Sequence, residues 1–310
     1  MKYQEWLMQW LANYVMPNYK PRTCERYRSM VEQHIIPHLG EYEMSELSPF
    51  IAQQFVTHLT NKGNLKNGKG LAANTINSVI TVIQQSMNTA HLMGFVDRYD
   101  MNNIKRPKIQ EKPVESFSVS EQKKIEQAVR ADKREKMMGI IICLYTGLRI
   151  GELMALQWDA IDLPKRQIHV FRSCHDGKDQ NNKTCRIIET PKTASSNRVI
   201  PIAKQLVPIL KDMKKRSNSP YVITNKGKIP SVRSYQRSFE LLLNKIGIPK
   251  RGFHSLRHTF ATRAVECGMD VRSLAEILGH KNSNITLNRY VHSMMEHKMS
   301  MMDKVGEYLE

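Results

Sequence analysis

The sequence predicts a mainly helical protein of two domains, with a small antiparallel β-sheet in the second domain, which is an α+β fold. Its 310 residues are enough for two domains. Apolar residues recur at helical spacing through the first hundred residues and again from Lys204 onward. Between these regions lie three short runs rich in β-branched residues, RQIHVFR, CRIIET and NRVIPI. We therefore expect the sheet to lie within the second half of the chain.

The first domain, residues 1–108, is predicted to contain four or five short helices. The opening segment carries an apolar stripe at helical spacing, formed by Trp6, Leu7, Trp10, Leu11 and Tyr14. A second helix is expected after Thr23. Ser48 is a suitable N-cap with Pro49 at the first helical position. A longer helix is expected to end near Gly94.

A linker of residues 109–117 is predicted to separate this domain from the second one, residues 118–310. The sequence around the linker contains two prolines and charges of both signs but few large apolar residues. Ser118 and Glu121 form the pattern of a capping box, which would start the first helix of the second domain. Gly147 is expected to end a later helix just before another amphipathic one.

The charge and the cysteines restrict the class of protein. A net charge of +18 favours a polyanionic partner, although a merely basic surface is the simpler alternative. The sequence has no apolar run of the roughly 18 residues that a membrane span needs. Gln4, Glu5 and Gln9 exclude a signal peptide at the N-terminus. Because the five cysteines are scattered and odd in number, we expect a reducing compartment and a cytoplasmic protein.

Two of the cysteines flank a polar stretch. Cys174 and Cys185 enclose HDGKDQNNKT and could face each other across a hairpin. Without a secretion signal, free thiols are favoured over a disulfide. His175 beside them would suggest a metal site, but the spacing matches no standard zinc pattern.

The stretch HSLRHTFATRA, residues 254–264, places two histidines and two arginines on one predicted helix. A zinc-protease site is disfavoured, because its pattern needs Glu where Ser255 stands. A helix-turn-helix would use Gly268 as the turn and Asp270 as the cap of a DNA-reading helix. The apolar face of that second helix, which includes Leu274, favours two packed helices instead. A phosphate-binding site is the third interpretation.

Residues elsewhere would complete a phosphate site. Arg149 is predicted at the N-terminus of a helix, where the helix dipole disfavours a cation unless an anion also binds. Glu152 lies on the same face and would orient the guanidinium, although an ordinary surface ion pair is the simpler interpretation. Three more residues stand in or after predicted turns: Lys192, His280 and Tyr290. Taken singly, a loop lysine is normally solvated, a histidine is normally structural, and a tyrosine normally lies in the core or at the surface.

Four segments in this order, TGLRIGEL, TPKTASSNRVIPI, HSLRHTFAT and LGHKNSNITLNRY, resemble the tyrosine recombinases. This is the phage-integrase family, which includes the Xer recombinases and the integrases of conjugative transposons. The resemblance is specific over residues 116–290. The first hundred residues look like the helical core-binding domain of the family. Many phage and transposon integrases carry an additional N-terminal arm-binding domain. This chain begins almost directly at the core-binding domain, which argues against arm-site binding.

The resemblance implies a site-specific recombinase that breaks and rejoins DNA through a covalent 3′-phosphotyrosine. The implied catalytic residues are Arg149, Lys192, His254, Arg257, His280 and Tyr290. The two arginines would hold the scissile phosphate, and the tyrosine would attack it. The lysine would protonate the departing 5′ oxygen. The first histidine would act as a base or orienting group, and the second would bind the same phosphate. Glu152 matches an acidic position that supports the first arginine.

The resemblance also implies partners. The substrate would be double-stranded DNA with a specific recombination site, clamped between the two domains. Basic residues would contact its phosphates or be ordinary surface charges: Arg22, Arg26, Lys105, Arg106 and Lys108. His258 and Arg263 would contact the DNA backbone or be solvated. No cofactor or metal is expected, because two arginines and a lysine would supply the positive charge.

The C-terminal segment would dock into a neighbouring protomer and so build a homo-tetramer on DNA. Met295, Met299 and Met302 stand there at helical spacing, and the alternative is that they close the chain's own core. Accessory DNA-bending proteins would be further partners. The activity would be integration and excision of a mobile element or resolution of dimers. The remaining alternatives are a non-catalytic helix-turn-helix regulator and a relaxing enzyme similar to type IB topoisomerases.

Overall fold

The computed structural model describes residues 1–97, 100–110, 115–178, 183–189, 197–280 and 295–309. The chain divides into two compact units, Met1–Lys112 and Pro113–Glu310. The predicted fold class is confirmed, because the described residues are mainly helical and the small antiparallel β-structure lies in the second unit. Among these described residues, no helix is both long and apolar enough to cross a membrane.

The first unit is helical throughout its regular elements. Its α-helices are α1 (Tyr3–Trp10), α2 (Pro21–Met30), α3 (Ile36–Leu39), α4 (Pro49–Lys62) and α5 (Ala73–Leu92). One π-helical turn, Leu11–Val15, continues α1, and another, Val31–Ile35, joins α2 to α3. The predicted cap of α4 is confirmed, because the Ser48 hydroxyl accepts a hydrogen bond from the Ile51 N–H at 3.4 Å. Gly94 follows α5 with a φ of 76°.

The core of the first unit is built on the amphipathic face of α1. Tyr3, Trp6 and Trp10 are buried, as the apolar stripe predicted. Their polar atoms reach α5. The Tyr3 hydroxyl lies 2.7 Å from the Ser86 hydroxyl, and the Trp6 indole N–H donates to the Ser86 carbonyl at 3.0 Å. Burial raises the pKa of the Tyr3 phenol, so this hydroxyl is neutral and stabilises the core as a hydrogen-bonding group.

The helices of the second unit precede and follow its strands along the sequence. They are α6 (Val119–Arg130), α7 (Met138–Thr146), α8 (Ile150–Ala155), α9 (Val207–Arg216), α10 (Val232–Lys245), α11 (His254–Glu266), α12 (Val271–Leu278) and α13 (Met295–Leu309). The capping box of α6 is confirmed. Ser118 accepts from the Glu121 N–H at 3.1 Å, and the Glu121 carboxylate accepts from the Ser118 N–H at 2.8 Å.

The strands form two sheets rather than the one predicted. They are β1 (Ile161–Asp162), β2 (Gln167–Val170), β3 (Ser173–Lys178), β4 (Thr184–Glu189) and β5 (Arg198–Pro201). A three-stranded antiparallel sheet has the order β1-β2-β5, and β3 and β4 form a separate antiparallel pair inserted between β2 and β5. The sequence missed β3, because its residues SCHDGK lack the β-branched composition of a strand.

The register of β3 and β4 separates the two cysteines that could have faced each other. Cys174 lies opposite Ile188, and Cys185 lies opposite Gly177. The two thiols are free, as expected. The prediction that the two cysteines could face each other across the hairpin is therefore wrong. A cross-strand disulfide needs two cysteines that lie opposite each other, and here each cysteine lies opposite a different residue.

The core of the second unit centres on α7, whose residues Ile140, Ile141 and Ile142 are fully buried. Helix α11 packs along α7. Helix α12 packs on α11 through its buried apolar face, which includes Leu274 and Leu278. Gly268 and Asp270 form the predicted turn and N-cap between α11 and α12. The prediction of two packed helices is therefore supported over a second helix that is free to read DNA.

Gly147 sets the turn from α7 to α8. It has a φ of 64°, and a Cβ at this position would lie 2.6 Å from Cδ1 of Phe260 on α11. Gly268 also has a positive φ, of 82°, but no atom lies within 4 Å of its Cβ position. The two glycines therefore share a conformational requirement but differ in the space around them.

We predict that Gly147→Ala lowers the free energy of unfolding by much more than Gly268→Ala. Both alanines must adopt the left-handed conformation, at a cost of about 1 kcal/mol. Gly147→Ala must also displace Phe260, which adds roughly 1–3 kcal/mol. Urea unfolding of both variants, followed by circular dichroism, measures the difference. Equal losses of stability would show that the close contact with Phe260 does not restrict this turn.

Candidate active site

Arg149 occupies the N-cap position of α8, where the αL turn at Gly147 has just reversed the chain. One guanidinium nitrogen donates to Oε1 of Glu152 at 2.9 Å, and the other donates to the Gly279 carbonyl at 3.1 Å. The Arg149 N–H donates to Oε2 of Glu152 at 2.8 Å. The arginine side chain is 35% exposed. Glu152 and the Gly279 carbonyl thus orient the guanidinium, which remains partly exposed to solvent.

Arg257 lies on α11 and is only 2% exposed. Its guanidinium donates to the Gly147 carbonyl at 2.8 Å and to the Leu278 carbonyl at 2.6 Å. Nη2 of Arg257 also lies 2.9 Å from Nε2 of His280. The structure therefore brings together three of the six predicted catalytic residues, Arg149, Arg257 and His280, at the C-terminal end of α12.

Glu152 forms a buried ion pair that the sequence did not predict. Its side chain is 4% exposed, and it accepts two hydrogen bonds from the guanidinium of Arg198, at 2.9 and 2.8 Å. The Arg198 side chain is 5% exposed. Such a two-point contact between a guanidinium and a carboxylate is strong and directional. The ordinary surface ion pair that we considered for Arg149 and Glu152 is therefore wrong, because Glu152 is buried between two arginines.

The charge of Glu152 is maintained by these arginines. Burial by itself raises the pKa of the carboxyl group, because the charged form loses its hydration. The hydrogen bond and charge of Arg198, with the charge and backbone N–H of Arg149, outweigh this effect. Together they lower the pKa from its ordinary value of 4.5 to about 2. Glu152 is therefore a carboxylate at neutral pH.

Three arginines bind three consecutive carbonyl groups at the end of α12. Arg198 donates to the Ile277 carbonyl at 2.6 Å, Arg257 to that of Leu278, and Arg149 to that of Gly279. Gly279 has a φ of 65° and ends the helix, as predicted. The carbonyl end of a helix attracts cations, because its last carbonyls have no partners within the helix. This attraction brings the three guanidinium groups to one place.

The two histidines of α11 differ in position. His254 is the first residue of the helix and is exposed, and its ring lies 4.6 Å from that of His258, edge to face. Arg257, one turn further, is buried, so the shared helix face predicted for His254 and Arg257 runs from solvent into the site. Within the ranges that the structure describes, no three histidine, cysteine or carboxylate residues are grouped as a metal site requires.

Two predicted catalytic residues lie outside the described residues. Lys192 falls between β4 and β5 in the sequence, and Tyr290 falls between α12 and α13. Arg263, which was considered for the DNA backbone or as a solvated residue, has protein partners. It donates to the Phe117 carbonyl at 2.8 Å and also pairs with Glu266. It thus connects the segment before α6 to α11, and its contact with DNA stays a prediction.

Arg198 was not predicted from the sequence as a residue of the site. It stands two positions before Ile200 in β5, so both side chains point to the same face of the strand. Ile200 is buried, and the alternation of the strand therefore places a charge on the inward face. A charge on the inward face needs a buried partner of opposite charge. The strand pattern could therefore have indicated that Arg198 forms a buried ion pair.

We predict that Glu152→Gln lowers the free energy of unfolding by about 3–5 kcal/mol at neutral pH, because Arg198 would keep a buried charge without its counter-ion. The folded pKa of Glu152 lies below the unfolded one, so its stabilisation is complete above about pH 4.5 and is lost towards pH 2. Urea unfolding between pH 7 and pH 3 should show wild type and variant converging below about pH 4.5.

The matched control is Glu135→Gln. Glu135 pairs with Arg216 at 2.9 Å, but both side chains are exposed. An exposed pair contributes little, on the order of 0–1 kcal/mol, so this variant should resemble the wild type. A Glu152→Gln variant as stable as Glu135→Gln at neutral pH would contradict the buried carboxylate.

Comparisons with known proteins identify the family of the chain. The phage integrase family matches residues 116–297, and its N-terminal SAM-like domain matches residues 2–60. The chain is similar to a XerC-like tyrosine recombinase of Caldanaerobacter subterraneus subsp. tengcongensis. The two are 27% identical over 96% of this chain and 81% of that relative.

Two solved structures share the fold. One is the Tn1549 transposon integrase in complex with transposon right end DNA, with a TM-score of 0.80, 22% identity and coverage of 99% of this chain and 100% of that chain. The other is a lambda integrase tetramer bound to a Holliday junction, with a TM-score of 0.70, 16% identity and coverage of 94% and 77%. The family match spans more than half of the sequence. The chain therefore belongs to the phage integrase family of tyrosine recombinases.

Proposed function

We propose that this chain is a site-specific DNA recombinase that uses Tyr290 as its nucleophile and holds the scissile phosphate with Arg149 and Arg257. The observation that carries the proposal is the meeting of Arg149, Arg257 and His280 at the end of α12. These groups come from α8, α11 and the residue after Gly279. Packing within the second unit brings these groups together, and this supports a cationic centre that would bind one phosphate.

The arginines would stabilise the transition state of strand cleavage. Attack on a phosphodiester places extra negative charge on the non-bridging oxygens. A guanidinium is always charged and can donate two parallel hydrogen bonds to such oxygens. Because Arg149 and Arg257 are already oriented by Glu152 and by backbone carbonyls, little reorganisation is needed at the moment of reaction. Each such preorganised donor is typically worth about 3–4 kcal/mol in the transition state.

The remaining groups would move protons. A tyrosine phenol has a pKa of about 10 and is a weak nucleophile at neutral pH. His254, exposed at the start of α11, would orient the phenol or accept its proton. Lys192 would protonate the departing 5′ oxygen. Attack by Tyr290 forms a tyrosyl–phosphate bond and breaks the bond to that oxygen. Attack by a 5′ hydroxyl on the phosphotyrosine then rejoins a strand without ATP.

We assign the DNA-binding roles to the two units. Residues 1–108 would be the core-binding domain, residues 109–117 the linker and residues 118–310 the catalytic domain. The substrate would be a duplex with a specific recombination site, and the net charge of +18 supports binding to it. The similarity to a transposon integrase and to a XerC-like recombinase supports integration and excision of a mobile element or dimer resolution, in the cytoplasm.

The non-catalytic regulator is the weaker alternative. A recognition helix presents polar residues to the base edges, whereas α12 buries Leu274 and Leu278 against α11. The buried cluster of Arg257, Glu152 and Arg198 is also not required for reading DNA by a helix-turn-helix. A relaxing enzyme similar to type IB topoisomerases would share the chemistry, and covalent capture of DNA separates it by sequence preference.

We predict that the chain forms an SDS-resistant adduct with DNA at one recurrent sequence and that Tyr290→Phe forms none, because phenylalanine lacks the attacking oxygen. Sheared DNA from the neighbourhood of the gene is incubated with each protein and quenched in SDS, and the attached fragments are sequenced. Adducts at scattered sequences would support a topoisomerase. Salt-sensitive binding without any adduct would support the regulator and contradict the proposal.

Two controls accompany this experiment. Arg257→Lys keeps a positive charge but loses the planar donor geometry, so adduct formation should slow by about 10²–10³-fold. Treatment with a chelator should leave the wild-type rate unchanged, because arginines and lysine supply the positive charge. Loss of cleavage in chelator that magnesium restores would contradict the metal-free mechanism.

We further propose that α13 joins protomers into a tetramer on DNA. Met299 and Met302 are 61% and 68% exposed, so these two methionines do not close the core of their own chain. Val305, Tyr308 and Leu309 on the same helix are exposed as well. An exposed apolar surface of this kind is typical of a protein–protein contact. The tetrameric structure of lambda integrase, which shares the fold, supports the same assembly.

We predict that truncation after Ser293 abolishes tetramer formation on DNA and strongly reduces recombination, while the isolated protein stays folded. Analytical ultracentrifugation with a DNA site measures the assembly. Asp303→Asn, on the same helix but charged and exposed, is the control and should assemble normally. A truncated protein that is tetrameric on DNA and fully active would show that α13 has no role in assembly.

A further inference from the structure

Among the described residues, three hydrogen bonds of Arg198 link the sheet to the site. Two go to the carboxylate of Glu152 on α8, and the third goes from Nε to the Ile277 carbonyl on α12 at 2.6 Å. Its side chain is 5% exposed, so its charge is almost removed from water. A buried arginine is costly unless its donors and its charge are matched. Here α8, α12 and β5 meet at one guanidinium.

We infer that Arg198 is a positioning residue of the active site, which fixes Glu152 between two arginines and holds the end of α12 so that Arg149 and His280 are correctly placed. This inference rests on the proposed function. It adds a residue outside the six that the sequence assigns to catalysis. The hydrogen bonds of Arg198 place it against Glu152 and Ile277, and it acts through those residues.

Arg198 constrains the orientation of the Glu152 carboxylate. Glu152 accepts from Arg149 through Oε1, and Arg198 binds both oxygens of the same group. Arg198 thus fixes the plane of the carboxylate, and that plane fixes the direction of the Arg149 guanidinium. Without Arg198, the carboxylate would be oriented by Arg149 alone, through its backbone N–H at 2.8 Å and its guanidinium at 2.9 Å, about a torsion with broad minima. The fork of Arg198 adds a second constraint on this plane that does not depend on Arg149.

Arg198 also holds the C-terminal end of α12. Arg198 holds the Ile277 carbonyl, and two residues later Gly279 accepts from Arg149. His280 follows directly, within 2.9 Å of Arg257. Moving the last turn of α12 would therefore displace the backbone partner of Arg149 and the imidazole together. A displacement of about 1 Å from a remote substitution can cost roughly a hundred-fold in rate.

The test is single-turnover cleavage of a DNA site by Arg198→Gln. We expect DNA affinity within two-fold of wild type and cleavage slower by roughly ten- to a hundred-fold. The matched control is Arg216→Gln. Arg216 also joins two carboxylates, Glu135 at 2.9 Å and Asp212 at 2.5 Å, but on the exposed surface of α9. This control should cleave at the wild-type rate.

A pH profile separates positioning from simple loss of structure. Without Arg198, burial should raise the pKa of Glu152, and the protonated group would release Arg149. Among the described residues, Arg149 and Arg198 bind Glu152 and the Cys143 thiol lies near it, while His169 and Arg172 line a small cavity beside it. Burial raises the pKa of the Cys143 thiol, so this group stays neutral. The cleavage rate of Arg198→Gln relative to wild type should therefore fall as the pH is lowered. Adding Glu152→Gln should abolish this additional pH dependence.

Arg198→Lys provides a second variant if glutamine prevents folding. Lysine keeps the charge opposite Glu152 but cannot form the fork and also reach the Ile277 carbonyl. We expect a folded protein with normal DNA affinity, slower cleavage and no new pH dependence. Wild-type cleavage by both variants would overturn the inference. So would a loss of cleavage that merely follows the loss of folded protein or of DNA affinity.

The outcome for Arg198 is distinguishable from that for the proposed function. If the wild type and Arg216→Gln form no adduct through Tyr290, the recombinase mechanism itself fails. If both form adducts and Arg198→Gln cleaves equally fast, only the positioning role fails.

Discussion

The buried carboxylate of Glu152 is the constraint on which the rest of the site depends. It carries a negative charge in the interior, where an unpaired ion would be costly, and its neighbours are arginines from two different elements. Each arginine also binds a backbone carbonyl at the end of α12. Neutralising one buried charge thereby joins α8, β5 and α12. The same contacts that stabilise this part of the fold direct the guanidinium of Arg149.

Three arginines and one buried carboxylate meet at the end of α12 among the described residues. Arg149, Arg198 and Arg257 each donate to one of its last carbonyl groups, and Glu152 is the carboxylate that the first two of them share. The carbonyl dipoles of α12 offset part of the positive charge, and in the proposed function the phosphate of DNA would offset a further part. Such a site would be arranged before its substrate binds, which is the condition under which fixed dipoles and charges accelerate a reaction.

The turns at Gly147 and Gly279 make this arrangement possible. Gly147 brings α8 back towards the core so closely that a Cβ would strike Phe260, and its carbonyl accepts from Arg257. Gly279 ends α12 and exposes the carbonyls that the arginines bind. Both residues adopt positive φ angles that side chains disfavour. These two turns therefore supply backbone carbonyl groups that Arg149 and Arg257 bind.

The sequence by itself determined the helical character of both units, the capped starts of α4 and α6, three of the strands and the family to which the chain belongs. The helices, caps and strands are local features, since caps, turns and periodicity act over a few residues. The family is recognised from short sequence motifs, which are local as well. The tertiary structure alone decided that Glu152 is buried, that Arg198 is its partner and that the hairpin forms its own sheet. Glu152 and Arg198 are 46 residues apart, and Arg149 and Gly279 are 130 apart. Such partners are chosen by packing of the whole unit, and no local pattern encodes which distant residues will meet.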